Sequence, residues 1–316
     1  SNGAYVLAEF VPNDHIKLTK NPNFFDAANV KIDVVNYVPT EDRSTAVKRF
    51  EAGELDMNDD IPTEQLADLK AKFGDQIKIG PYLGTYYYAF KIPKAPWDNA
   101  KLRHAVSMAI DRDILAEKVW QNTMLPAYSF VPPGIAGYET KTADYAEMGQ
   151  IDREEEAKKI LTELGYGPDK PLKMEIRYNT SENHKNTAVA IQEQLKPLGI
   201  EVTLLNTDTK THYGHLEQHG DFDIARAGWI ADYKDPESFL GISRKASGNN
   251  YSRYDNPAFD KAMDEAAAIC ARIEDGGVDR DAMAMAYEAL SLPANACDAM
   301  RARLDAALAG AGVADA

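Results

Sequence analysis

Apolar and polar residues change their period several times along this 316-residue chain, and each change predicts an element. VKIDVVNYVP (30–39) alternates with period two and predicts a strand, while the stretch from Thr40 to Phe50 turns helical, with acidic residues in its first turn. PTEQLADLKAKF repeats the plan: Pro62 and Thr63 open a helix, Glu64 favours its positive end, and Leu66, Leu69 and Phe73 share one face. QIKIGPYLGTYYYAFKI (76–92) is an aromatic extended run broken by Gly80, Pro81 and Gly84, as suits a strand that bends or passes between lobes. A domain boundary is therefore read near residue 85. Successive strand side chains point to opposite faces, so at most alternate members of Tyr86, Tyr87 and Tyr88 can line one cleft, and core packing is their commoner role.

Beyond Trp97 a helical stripe runs through Leu102, Val106, Ala109, Ile110, Ile114 and Leu115, across an internal Asp-Arg-Asp, until LPAYSFVPPGIAGYE breaks it as a loop. Then the order becomes regular: helix DREEEAKKILTELG, strand PLKMEIRYN, helix HKNTAVAIQEQLKPLG, strand IEVTLLN, helix THYGHLEQHG, strand FDIARAGW. Helices alternating with short strands predict an α/β lobe with a largely parallel sheet, in which ligands gather beyond the carboxyl ends of the strands. Two polar clusters fall there, YNTSENH and GWIADY. From Ala294 onward the chain is alanine-rich and reads as a weak helix or a tail, with no chemistry in it.

Composition narrows the classes. A content of 44% hydrophobic and 27% charged residues is that of a folded chain without a membrane span. The net charge of −15 repels phosphate backbones and anionic headgroups, which disfavours nucleic acid and membrane surfaces as partners. SNGAYVLAEF has neither the basic start nor the apolar core of a signal peptide. Cys270 and Cys297 are in no CxxC or zinc-ribbon spacing, and two solitary cysteines in helix-like sequence are more often free thiols than a disulfide.

Most motifs reduce to bland readings. His212, His215 and His219 could share a helix face and hold a metal, but no carboxylate or cysteine motif accompanies them, so they read as polar residues on a solvated face. DMNDDI has three calcium-loop spacings, yet Ile61 stands where glycine is needed and Ala67 where the bidentate glutamate belongs. No GxSxG, Walker, GxGxxG or HExxH element occurs, so neither catalysis nor a cofactor or metal is expected. What survives is RAGWIADY (226–233): Arg226 and Asp232 flank small apolar residues at a strand end, where a surface ion pair is the ordinary explanation and a site for a ligand carrying both charges the sharper one.

NGAYVLAEFVPNDHIKLTKNPNFFD, TYYYAFKIPKAPWDNAKLRHAVSMAIDRD, YNTSENHK, FDIARAGWIADYKDPESFL and NPAFDKAMDEA, in this order, resemble the periplasmic oligopeptide-binding proteins that feed ATP-driven peptide importers, a family of extracellular solute-binding proteins. The resemblance runs from residue 2 to roughly residue 290. It implies the fold of a periplasmic-binding-protein-like, two-lobed solute receptor (type II, cluster C), here incomplete. Residues 1–85 would be part of the first domain and 86–290 the third, with 291–316 an alanine-rich tail; the family's N-terminal region, second domain and final strands have no counterpart. It implies that Asp232 binds a peptide's α-ammonium group, that Arg226 meets the carboxylate of short peptides and His184 that of a longer one. Asn179, Gly228, Trp229, Tyr82 and Thr85 complete the expected ligand-binding set. Glu217 stands where the family has a further arginine, which puts one carboxylate contact in doubt. The implied partners are an oligopeptide and the permease subunits of an ABC transporter, the implied compartment the periplasm, and the implied role non-enzymatic. Rival readings are a receptor for dipeptides, opines or another small solute, a fragment that has lost solute binding, and a hydrolase, the last disfavoured by the missing nucleophile.

Overall fold

The structure, a computed structural model, describes residues 2–136 and 138–274. Cys297, the side chain of Cys270 and the alanine-rich stretch lie outside the described residues. The chain divides after Pro62 into two compact units. In the first, strands β1 (Tyr5–Val11), β2 (His15–Lys20) and β3 (Val34–Tyr37) form an antiparallel sheet in that order. Only the centre of the run read from 30 to 39 is strand. Helix α1 (Arg43–Glu51) comes next, its first turn held by the Asp42 carboxylate, which accepts from the Thr45 amide at 2.6 Å.

The second unit begins some twenty residues before the boundary read near 85, because the segment ahead of the aromatic run packs with later elements of the chain. Thr63 sits just before helix α2 (Leu66–Phe73), with its hydroxyl 2.9 Å from the Val119 carbonyl and 3.0 Å from Asn183 Oδ1. Strand β4 (Gly84–Phe90) starts at the last of the breaks at Gly80, Pro81 and Gly84. The stripe from Leu102 to Leu115 is not one helix: α3 (Ala100–Ala109) ends at Ile110, and Asp111 caps a new turn, α4 (Arg112–Ile114), by accepting from the Ile114 amide at 3.0 Å. A carboxylate competing for backbone donors ends a helix that apolar periodicity alone would continue.

Then come α5 (Gln150–Glu163), β5 (Leu172–Asn179), α6 (Glu182–Leu195), β6 (Ile200–Thr207), α7 (Thr209–Glu217), β7 (Ile224–Ile230), the short α8 (Glu237–Leu240) and α9 (Pro257–Glu274). The sheet order is β4-β7-β5-β6. β5 pairs in parallel with β6 and β7, and β4 lies antiparallel along the whole of β7, so a parallel core carries one antiparallel edge strand. Ala188, Ile191 and Leu195 of α6 join Ile176, Leu102 and Leu161 in the main core on one face of the sheet. Leu216 of α7 packs with Ala225 and Ala227 on the other. The chain therefore leaves β5 over one face and returns to β7 over the opposite face, which makes the β5–β7 junction a topological switch point, where open α/β sheets bind ligands.

Candidate functional site

At that junction the sheet comes apart. β5 and β7 pair only at Ile176↔Ile224 and Arg177↔Ala225, and beyond these the strands separate toward their carboxyl ends. Arg226 fills the opening. Its guanidinium donates to Asn179 Oδ1 at 3.1 Å and to the Tyr213 hydroxyl at 2.8 Å, and lies 4.7 Å over the Tyr86 ring. The strand register explains why it fits: Tyr88 is opposite Arg226, and Gly228 is opposite Tyr86. A Cβ at Gly228 would stand 3.4 Å from Arg226 Nη2, so glycine leaves the arginine room to run along the strand. Arg226 Nε is buried and finds no acceptor among the described residues.

The other expected residues gather at the same end of the sheet in different ways. Asn179 closes β5, buried, and its amide reaches Thr209 Oγ1 at 3.4 Å. Asp232 is exposed just past β7; its backbone amide donates to Ser238 Oγ at 3.0 Å, and among the described residues no cation pairs with its carboxylate. The ordinary Arg226–Asp232 ion pair is thus not formed. Trp229 packs against Val131, Ile135 and Phe239, with Nε1 buried and without an acceptor among the described residues. Thr85 commits its hydroxyl to the Phe130 carbonyl at 2.9 Å, and Tyr82 stands 74% exposed before β4. His184, in the first turn of α6, is only 4% exposed, its Nδ1 3.4 Å from the Tyr86 hydroxyl, while Trp120 stacks edge-on to Tyr86 at 5.2 Å. The junction brings Arg226 and Asn179 into contact and leaves His184 behind an aromatic wall.

The three tyrosines of β4 divide as strand geometry requires. Tyr86 and Tyr88 wall a hollow of about 310 Å³ with Leu115 and Trp120, while Tyr87, which also borders it, stacks edge-on against Phe130 at 5.0 Å and packs with Tyr213 on the α7 side. Burial raises the pKa of all three, so they act as neutral hydroxyls and ring faces.

Sequence reading missed the support beneath Arg226. His212 was expected on a solvated face; it is fully buried, and its Nε2–H donates to the Arg226 carbonyl at 2.8 Å. The β5–β7 separation had left that carbonyl without a strand partner, and a buried carbonyl needs a donor. The three histidines do not converge, since His215 bonds the Asp221 carbonyl and His219 lies past the helix; no metal-ligand group occurs among the described residues. Burial pushes the His212 pKa from its ordinary 6.5 down to about 4, aided by the Arg177 and Arg226 charges and opposed by the hydrogen bond to the Arg226 carbonyl. Its folded-state value is below its unfolded one, so the unfolded chain binds more protons between those pH values. The resulting stability is complete above pH 6.5 and is lost as pH falls toward 4, at most about 3 kcal/mol. Urea titrations at pH 7 and 4.5 should show this loss, and His212→Gln, which keeps an N–H donor, should flatten it; an unchanged slope would assign the titration to another group.

These features define a candidate ligand-binding lobe: an arginine at a switch point, a carboxylate beyond the end of β7 with no cation partner among the described residues, and aromatic walls. Known proteins agree. The family described as "Bacterial extracellular solute-binding proteins, family 5 Middle" matches residues 1–251. The chain is 42% identical over 265 residues to the periplasmic oligopeptide-binding protein OppA of Salmonella typhimurium, covering 83% of this chain and 49% of that protein. It superposes on the Escherichia coli murein tripeptide-binding protein MppA with a TM-score of 0.82 at 35% identity, over 92% of this chain and 55% of that one. Haemophilus influenzae OppA, solved in complex with RPPGFSPFR, matches with a TM-score of 0.80 at 35% identity, over 92% and 56%. The chain belongs to family 5 of the bacterial extracellular solute-binding proteins. It spans about half the length of these relatives.

Proposed function

We propose that this protein captures oligopeptides in the periplasm as the solute-binding component of an ABC importer. Asp232 receives the peptide's α-ammonium group and Arg226 its carboxylate, with Asn179, Gly228, Trp229, Tyr82 and Thr85 around the chain between them and His184 reserved for a longer peptide. The observation that carries this reading is that Arg226, inside β7, and Asp232, two residues past the end of that strand, are not paired with each other, so each charge is available to a ligand carrying both. Small apolar residues between them let backbone groups approach a ligand, and backbone bonding tolerates many side-chain sequences. In the family frame the first domain contributes residues 1–85 and the third contributes 86–290. Among the described residues no helix is long and apolar enough to cross a membrane, and the permease partners supply that passage.

Native mass spectrometry of the protein purified from cells tests the reading. A ladder of bound masses spaced like amino-acid residues is expected. One small mass would favour a dipeptide or other small solute, and no bound mass, even after adding tripeptides, would overturn the proposal.

A further inference from the structure

The sheet of the second unit ends on β4, which among the described residues has a strand neighbour on one side only. Leu83 and Lys91 bracket the strand, and both turn toward β7. The Leu83 carbonyl accepts from the Ala231 amide at 2.9 Å, and the Lys91 amide donates to the Asp223 carbonyl at 3.0 Å. In an antiparallel ladder alternate residues exchange bonds with the neighbouring strand, and the register here runs without a shift from Gly84 to Phe90. Thr85, Tyr87 and Ala89 therefore bond inward, and Tyr86, Tyr88 and Phe90 hand their N–H and C=O groups outward. Among the described residues nothing receives those outward groups. Ile92, the next residue of the outward series, shows what they lack: its amide donates to the Ser252 carbonyl at 3.0 Å.

Space lies along this edge. Neighbouring side chains of a strand point to opposite faces, yet Thr85, Tyr86, Tyr87 and Tyr88 all border the hollow of about 310 Å³, and Tyr87, Tyr88, Ala89 and Phe90 border a second of about 230 Å³. Consecutive residues share a hollow where it runs beside the backbone. Leu115, Met124 and Leu125 give the first hollow an apolar wall, and Ile242 and Tyr251 give one to the second. Edge strands are ordinarily kept from pairing by a charge, a proline or a bulge. GTYYYAF has none of these, and its tyrosines and phenylalanine are residue types that favour sheets. An apolar solute in the hollows would leave the outward amides and carbonyls without partners, which is unfavourable; an added strand bonds them.

We infer that the outer edge of β4 is a strand-addition site, which takes an extended, uncharged polypeptide segment with apolar side chains as a fifth strand of this four-stranded sheet. The site is separate from the one proposed above: β4 and β7 stand between it and the β5–β7 junction, and it uses neither Arg226 nor Asp232. Backbone bonds hold the segment, and its side chains enter the two hollows.

Calorimetric titration of the full protein with acetyl-Val-Thr-Val-Thr-Val-amide tests it, since a peptide blocked at both ends brings no charge for Asp232 or Arg226. Saturable binding is expected, with amide hydrogen exchange slowed at Tyr86, Tyr88 and Phe90 and unchanged at residues 228–230. Only alternate residues of an added strand face β4. N-methylating the second and fourth residues of the peptide, or instead the third and fifth, should therefore have unequal effects, one pair losing at least about tenfold more affinity than the other, as for two lost hydrogen bonds. Ala-Ala-Ala with free ends should not displace the blocked peptide. Absence of binding at millimolar concentration, equal losses from the two N-methylated peptides, displacement by Ala-Ala-Ala, or slowed exchange at residues 228–230 in place of β4 would each overturn the strand-addition site, and none of them bears on whether Asp232 and Arg226 hold a peptide with free ends.

Discussion

Replacing Phe239 by alanine should cost about 3–5 kcal/mol of stability, the range for removing a large aromatic side chain from a packed core. Phe239 is fully buried against Val131 and Ile135, with Phe130 6.4 Å away edge-on and Trp229 packed on the cluster. It comes directly after Ser238, the residue whose hydroxyl accepts from the Asp232 backbone amide. The cavity would thus open under the turn that holds Asp232 and beside Trp229. Urea denaturation followed by circular dichroism should show a lower midpoint with an unchanged slope, while Phe239→Leu, which leaves a smaller void, should lose much less. A loss under about 1 kcal/mol would mean that the loop collapses freely and that the cluster does not hold the site in shape.

Asp232→Asn should weaken binding of a tripeptide by about 2–5 kcal/mol, as for a charge pair from which one partner is removed after desolvation. The substitution keeps shape and removes charge. Because Asp232 is exposed and has no cation partner among the described residues, little folding stability should change, which separates binding from structure. Acetylating the peptide's amino group should cost a similar amount. Both changes delete the same contact, so together they should cost much less than their sum. Additive losses in that four-way cycle would show that Asp232 does not touch the ammonium group.

The alternation of helices and strands from Asp152 to Trp229 was legible because each element carries its own period and stop. Gly165 and Gly199 take φ of 82° and 78° after their helices, conformations that glycine adopts without strain. RAGWIADY stood out as a candidate site because charged residues beside Gly-Trp in a strand are unusual for a core. The helical stripe from Leu102 to Leu115 misled because periodicity records which face is apolar and not whether Asp111 takes the backbone donors for itself.

By itself, then, the sequence determined the alternating elements from Asp152 to Trp229, their order, the stretches where polar residues collect, and the opposite charges of Arg226 and Asp232. Those are local properties, set by side-chain period, glycine and capping. Only the tertiary structure decided that the chain doubles back after β6 and so makes the β5–β7 junction a switch point, that β7 separates from β5 after Ala225, and that His212 turns inward to serve the carbonyl this leaves open. The same separation admits the Arg226 guanidinium and puts His184 behind Tyr86. Hydrogen-bond demand and exclusion of water act between residues dozens of positions apart, so no stretch of sequence read alone contains their outcome.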